Sequence, residues 1–345
     1  MTEMRLQVFL KKADAPLPTE IDSRHISESV HWILDENLPR ATSVLAEEPM
    51  STFHHLFRVD LGGRAYYLKM SRFREFGGSL LLEAFLYEDL LREVGCAVAV
   101  VAVDATCEKV PFPYLLLEGA QGVRLRDVEI GGAGFEDVVS NLGETMARIH
   151  SAGTEVSKWG PVDTAFLEKG GLQGAFETWS DYRSFNRSAH LRYLVDKGGL
   201  DNETARRIEN LFGTTDSTLG QIERGERGAL LHGDLGSHNI FFDPATSRIT
   251  SIVDWEDALI GDPLFDTAMF ASFYRMEDFV ETFLAGYGRI RPVQWEQSER
   301  TFWLYYLRIA LAKGVVRFRL GYDRPGKSLA APKIARAVEN LDRLR

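Results

Sequence analysis

Apolar residues at Ile26, Val30, Ile33 and Leu34 fall on one side of a helical repeat within the stretch Ile21 to Leu38, with polar residues between them, and Pro39 closes the stretch. This spacing predicts an amphipathic helix. The period then shortens to two. Thr42 to Ala46, Leu56 to Asp60 and Ala65 to Met70 read as strands, the last two joined by Leu61-Gly62-Gly63-Arg64, so that an antiparallel sheet opens the fold. Leu80 to Glu88 returns to helix. Pro113 to Leu117 reads as a buried strand that breaks into the turn Glu118-Gly119-Ala120-Gln121-Gly122. From Phe135 the helical period holds, with Val138, Val139, Leu142, Met146 and Ile149 in one stripe ending at His150. Residues 151 to 229 read as mostly helical: Trp159 opens a loop, and helices are predicted over Trp179 to Phe185, Leu191 to Lys197 and Glu203 to Ile222. A strand, turn, strand pattern follows at Ile240 to Phe242, Asp243 to Thr246 and Ile249 to Val253. Thr267 to Phe273, Met276 to Tyr287, Trp295 to Arg319 and Ile334 to Leu341 are helical by periodicity. The expectation is a two-lobed α+β fold, with a sheet-bearing lobe over residues 1–117, a connector at 118–122 and a mostly helical lobe over 123–345.

The segment Leu230 to Asp266 carries the candidate chemistry. His232-Gly233-Asp234 is followed by Asn239 and then, behind a run of β-formers, by Asp254. A hairpin folding about Ala245 and Thr246 returns Asn239 to the side of residues 252 to 254, so two hard oxygen donors converge. Mg²⁺ is held by few protein oxygens and keeps its other positions for water and phosphate. Phosphoryl transfer needs such ligands together with a carboxylate that orients and deprotonates the attacking hydroxyl. The spacing His-x-Asp-x-x-x-x-Asn matches the catalytic loop of kinases, in which the Asp is the base and the Asn binds metal.

HGDLGSHN followed by IVDWEDALIGDPLFD resembles the catalytic and metal-binding segments of the aminoglycoside phosphotransferase and choline kinase family. VDLGGRAYYLKM and EGAQGVRL extend the likeness, which is closest to the hygromycin-type aminoglycoside phosphotransferases and covers roughly residues 50–270. The resemblance implies a protein-kinase-like fold and an ATP- and Mg²⁺-dependent transfer to a hydroxyl of a small molecule. By it Asp234 is the catalytic base, and Asn239 and Asp254 are the metal ligands. Lys69 neutralises the nucleotide phosphates and Glu83 pairs with it one helix later. The carbonyl of Glu118 and the N–H of Ala120 bind adenine at the interlobe hinge. Ser51 and Thr52 replace the glycine-rich loop of protein kinases as phosphate donors. His232 and His150 read as structural histidines, and Asp262 and Asp266 as structural acids that suit a helix N-cap.

The net charge of −10 argues against nucleic acid and anionic membranes as partners and suits a cationic acceptor. An aminoglycoside would need carboxylates around it. Glu256, Asp257 and Asp181 are the candidates, and the implied role is antibiotic resistance. Cys96 and Cys107 have neither metal-ligand nor redox spacing and read as reduced, buried thiols. Residues 1–12 lack a signal peptide's apolar core and no apolar run reaches membrane-spanning length, so the expected protein is cytoplasmic, a monomer or homodimer. Two alternatives share these motifs: a kinase of choline, a sugar or a macrolide, and a non-catalytic nucleotide-binding regulator. The regulator should have lost Asp234, Asn239, Asp254 or Lys69, and all are present. Gly321 to Ser328 also satisfies the P-loop pattern G-x-x-x-x-G-K-S. A P-loop joins a buried strand to a helix in a parallel sheet, and here helical periodicity lies on both sides, so a basic surface loop is expected.

Overall fold

The computed structural model describes residues 20–38, 44–47, 53–152, 158–169, 171–213, 228–273 and 276–344. In the first lobe, β1 (Val44–Glu47), β2 (His54–Leu61), β3 (Arg64–Ser71), β4 (Val100–Asp104) and β5 (Tyr114–Glu118) form an antiparallel sheet in the order β1-β2-β3-β5-β4. Side chains alternate across it. Leu68 and Met70 of β3 and Tyr114 and Leu116 of β5 turn to one face, where α1 (Ile26–Asn37) lays down Val30, Ile33 and Leu34. Leu115 and Leu117 turn to the other face and join the core containing Leu80, Leu82 and Leu86 of α2 (Gly77–Glu88). Because β5 is covered on both faces, it reads in the sequence as an unbroken apolar run. The same alternation points Lys69, between Leu68 and Met70, away from α1 and towards the second lobe. A short α3 (Leu90–Val94) follows α2.

β6 (Val123–Arg124) leads out of the connector and pairs with β10 (Ile240–Asp243), which is itself paired with β11 (Arg248–Ile252). The predicted hairpin is therefore present, with Ile240 opposite Ile252. α4 (Phe135–Ser151) packs its predicted stripe inward. The insertion after it departs from expectation. Trp159 begins a strand, β7 (Trp159–Val162), paired with β8 (Gly174–Phe176) and with β12 (Leu259–Gly261), and β12 pairs in turn with β9 (Ala229–Leu231). Trp-Gly-Pro-Val carries no alternation and includes a proline, so only pairing with distant residues makes it a strand. Helices α5 (Trp179–Ser184), α6 (Arg187–Asp196) and α7 (Asn202–Gly213) complete the insertion, and the predicted continuation of α7 to Ile222 lies outside the described residues.

The chain closes with α8 (Leu264–Ala271), α9 (Val280–Tyr287), α10 (Trp295–Arg319) and α11 (Ala330–Arg343). α10 is buried all round from Phe302 to Ala312, which marks it as the central helix of the lobe. One continuous apolar core runs from Leu115 and Leu117 through Leu230 and Ile252 to Leu304 and Leu307, so the lobes share their interior beneath the cleft. No described helix is long and apolar enough to cross a membrane.

Candidate active site

Lys69 is the hub of the first half of the site. Its Nζ lies 2.9 Å from Glu83 Oε2, 2.5 Å from Asp254 Oδ1 and 3.0 Å from Glu256 Oε2. Glu256 also forms a buried pair with His54, the first residue of β2. Burial alone would lower the Lys69 pKa, but Asp254, Glu256 and Glu83 outweigh it and hold the ammonium well above the usual lysine range. Glu83 and Tyr87 stand one turn apart on α2 and are hydrogen bonded to each other at 2.9 Å. Both accept the backbone N–H of Asp254, at 3.2 and 3.1 Å. These bonds hold Asp254 at φ +70°, a left-handed conformation that costs a side-chain-bearing residue on the order of 1–3 kcal/mol unless its surroundings fix it.

The loop from His232 to Asn239 begins where β9 ends. His232 Nε2 donates to the Val253 carbonyl at 3.0 Å, and its Nδ1 accepts the N–H of Asp234 at 3.1 Å. His232 thus ties the loop to the strand end that carries Asp254, as a brace. Asp266, fully buried, accepts the N–H groups of His232 (2.7 Å) and Gly233 (3.0 Å) and faces His150 Nε2 at 3.2 Å. It is structural, as expected, but braces the loop instead of capping a helix. Asp262 accepts the N–H of Leu264 at 3.0 Å and the Tyr305 hydroxyl at 2.7 Å, closer to the predicted cap. Gly233 has φ +80°, and a Cβ there would lie 2.1 Å from the Asp257 carbonyl, so only glycine fits between His232 and Asp234. Asn239 donates its Nδ2 to the Asp234 carbonyl at 3.1 Å, which commits the amide nitrogen and leaves Oδ1 as the oxygen it could offer to a cation. The Val253 N–H donates to the Asn239 carbonyl at 2.8 Å, so the hairpin brings residues 239 and 253–254 side by side.

Lys69, Glu83, His54, Glu256, Asp234, Asn239 and Asp254 line one cleft of about 650 Å³ between the lobes, together with Glu118 and Ala120 of the connector and Asp257. Asp257 is 7% exposed on its wall. Glu256 is in the cleft but committed to Lys69 and His54. Asp181 lies elsewhere, exposed on α5. Ser51 and Thr52 lie outside the described residues. Cys107 is half-buried in a left-handed turn, not in the core; only Cys96 is buried, and burial pushes its thiol up to about 12.

The P-loop-like segment is a turn between α10 and α11. Asp323, buried within it, accepts Arg317 Nε (2.8 Å), the Ser328 hydroxyl (2.7 Å) and the Leu329 N–H (3.2 Å), and Ser328 Oγ accepts the N–H groups of Ala330 and Ala331. Its serine is a helix cap and no strand precedes it, as the sequence context implied.

Sequence reasoning missed the cations at the far end of the cleft. Lys313 Nζ lies 3.3 Å from Asp234 Oδ1 and 3.7 Å from the Phe273 ring centre. Lys333, on the first turn of α11, donates to the Ser272 carbonyl. A signal existed for Lys313: it interrupts the apolar middle of the longest predicted helix. Burial lowers the pKa of His238 nearby, against the pull of Asp234 and Asp254.

Comparison with known proteins bears on this geometry. The sequence profile of the phosphotransferase enzyme family matches residues 53–300. Hygromycin-B 4-O-kinase of Escherichia coli is 24% identical over 215 residues, 61% of this chain and 57% of that protein. Acyl-CoA dehydrogenase family member 11 of Mus musculus is 25% identical over 264 residues, 71% of this chain and 31% of that protein. The chain thus spans less than two thirds of the length of either curated relative. A thermostable mutant of aminoglycoside phosphotransferase APH(4)-Ia, solved with AMP-PNP and hygromycin B, superposes with a TM-score of 0.65 at 22% identity over 92% of this chain and 97% of that one. At that identity the likeness speaks to the fold, while the profile covers most of the chain, including the loop from His232 to Asn239 and the hairpin after it. The chain belongs to the phosphotransferase enzyme family and has the two-lobed α+β fold of the small-molecule kinases.

Proposed function

We propose that the protein is an ATP- and Mg²⁺-dependent O-phosphotransferase acting on a hydroxyl of a small molecule. One observation carries the reading: Lys69, Asp254, Asn239 and Asp234, each in a distinct electrostatic setting, line a single cleft. In this reading the Glu118 carbonyl and Ala120 N–H hold adenine at a hinge over 118–122, between lobes at 1–117 and 123–345. Lys69, kept in place by Glu83, binds the α and β phosphates. Asn239 Oδ1 and the Asp254 carboxylate hold the metal; an amide oxygen and a carboxylate that reaches the cleft are the hard donors Mg²⁺ takes. When bound, Mg²⁺ neutralises charge on the phosphates. Asp234 orients the acceptor hydroxyl and takes its proton. The hydroxyl oxygen attacks the γ-phosphorus, the bond from that phosphorus to the β–γ bridging oxygen breaks, and ADP leaves with that oxygen.

The family resemblance suggests an aminoglycoside-type acceptor and with it a resistance role. Of the three candidate carboxylates Glu256 and Asp257 line the cleft, but Glu256 is paired with Lys69, and Asp181 stands outside it, so that acceptor has limited support. Incubation with Mg²⁺·ATP and a panel of hydroxylated small molecules, read by ADP release, tests the reaction. Acceptor-dependent release is expected. A protein that takes up no Mg²⁺·ATP in a calorimetric titration would not be a phosphotransferase.

A further inference from the structure

Resting on the phosphotransferase reading, we propose that the acceptor pairs an apolar body with an anionic group, a carboxylate or a phosphate ester, and that Lys333 and Arg317 recognise that group while Lys313 stands beside the reacting hydroxyl. The cleft has two ends. One is fixed by Lys69 and the connector. The other lies beyond Asp234 and is walled by the end of α8, by α10 and by the segment leading into α11. The residues that α10, this segment and α11 contribute to the cleft include Lys313, Arg317 and Lys333 and no carboxylate.

The local charges do not balance on this wall. Asp234 faces Lys313, and Asp323 faces Arg317 but is already saturated by Ser328 and Leu329. Glu277, the carboxylate with the largest pull on Lys333, pairs with Arg336 at 2.7 Å. Among the described residues Lys333 has a neutral carbonyl, that of Ser272, as its one hydrogen-bond acceptor. It also stands in the first turn of α11, where the helix dipole favours anions over cations. A half-buried ammonium set among other cations is costly to hold charged unless an anion joins it. A polycationic acceptor would add repulsion at this point.

The rest of the wall is apolar. Phe273 lies under Lys313, and Tyr322 and Leu329, 60% and 62% exposed, stand at the mouth. Large exposed apolar side chains lining a cleft provide a surface for an apolar ligand. With its anion at Lys333 and its body along this wall, an acceptor turns its hydroxyl to Asp234. The oxygen then attacks the γ-phosphorus, its proton passes to Asp234, and ADP departs.

The test uses matched probes: ω-hydroxyoctanoate, ω-hydroxyoctyl phosphate, octanediol, ω-aminooctanol and hygromycin B, each with Mg²⁺·ATP and ADP release as readout. The anionic probes should show KM values at least about tenfold below those of the diol and the amino alcohol, the size of one lost ion pair. Whichever anion is preferred separates carboxylate from phosphate. Lys333→Glu should erase that advantage while leaving the KM for ATP in place, with Lys333→Met as the second variant if charge reversal impairs folding. A lower KM for aminooctanol or hygromycin B than for either anion overturns the proposal, as does an unchanged anionic preference in both variants. If Mg²⁺·ATP binds but no probe is turned over, titration of ω-hydroxyoctanoate into the protein with Mg²⁺·AMP-PNP decides: binding that is lost in Lys333→Glu supports the anionic acceptor, and no binding overturns it while the phosphotransferase reading stands. Failure to bind Mg²⁺·ATP removes that underlying reading.

Discussion

The two ends of the cleft solve opposite electrostatic problems. At the Lys69 end one ammonium faces three carboxylates, Glu83, Asp254 and Glu256, and Glu256 also pairs with His54. Anions are in excess there. At the Asp234 end Lys313, Arg317 and Lys333 meet Asp234 and Asp323, and cations are in excess. Each imbalance is costly in a partly buried site, and each is relieved by a ligand of the opposite sign. In the proposed reading the first end takes a metal ion arriving with its nucleotide, and the second an anionic acceptor. A chain with a net charge of −10 has thus set its cations where an acceptor would enter, which the total charge concealed.

Removing the group between the two ends should have the largest effect. Asp234→Asn keeps the shape and backbone hydrogen bonds of the loop but removes the charge facing Lys313 and, in the proposed reading, the base, so kcat should fall by about 10²–10⁴-fold with Mg²⁺·ATP affinity nearly unchanged. Activity within about tenfold of the unsubstituted protein would remove Asp234 from that role. Lys69→Met breaks the first end by leaving Glu83, Asp254 and Glu256 facing one another. Loss of one partner of a buried ion pair costs about 3–5 kcal/mol, which a denaturant titration would register, and the KM for ATP should rise. Lys327→Ala, in the P-loop-like turn, is the control, and an equal loss there would reverse the assignment of the nucleotide site.

What the sequence revealed and what it hid follow from the range of the interactions. The helix at Ile26, the β2–β3 hairpin, the stripe of α4 and the full length of α10 were legible because local period decides them. The hairpin that brings Asp234, Asn239 and Asp254 to one cleft was legible because its two strands and turn are adjacent in the chain, with Asp234 and Asn239 just before it and Asp254 just after. Strand β7 was hidden, since Trp159 and Gly160 become a strand only through Ile260 and Phe176. The acceptor wall was hidden for the same reason. Lys313 and Lys333 stand on separate helices and meet Asp234 and Ser272 only after folding. Glu256, expected beside the acceptor, lines the cleft paired with His54 and Lys69, and nothing local announces that these two reach it.

A smaller effect is expected where the brace, not the base, is altered. Asp266→Asn replaces a carboxylate that accepts the N–H groups of His232 and Gly233 and faces His150. The amide presents an N–H to at least one of these donors, and an unsatisfied buried group costs about 1–3 kcal/mol. Stability should fall by that amount. Because Asp266 acts through Gly233 and Asp234, kcat should drop while the KM for ATP stays, a split that a merely destabilised protein would not show under conditions where it is fully folded.

The smallest effect is a titration. Burial first, then the Lys313 and Arg317 charges, lower Lys333 from the usual lysine value of 10.5 to about 8, against the opposite pull of Glu277 and Asp323. Between pH 8 and 10.5 the folded protein has lost this proton while the unfolded chain keeps it, so stability should rise with pH through that window; below it the cost of the buried charge is fully present. Solvent at the cleft mouth screens the charge, and the gain should be on the order of 1 kcal/mol. Acceptor binding should move the other way. As pH rises through about 8 the ammonium that would meet an anionic acceptor disappears, and the KM for ω-hydroxyoctanoate should climb several-fold while that for octanediol stays level. Lys333→Arg separates this from any other titrating group, because a guanidinium keeps its charge across the range. Its KM profile should be flat where the unsubstituted protein's rises, and a rise that persists in Lys333→Arg would assign the titration to another residue.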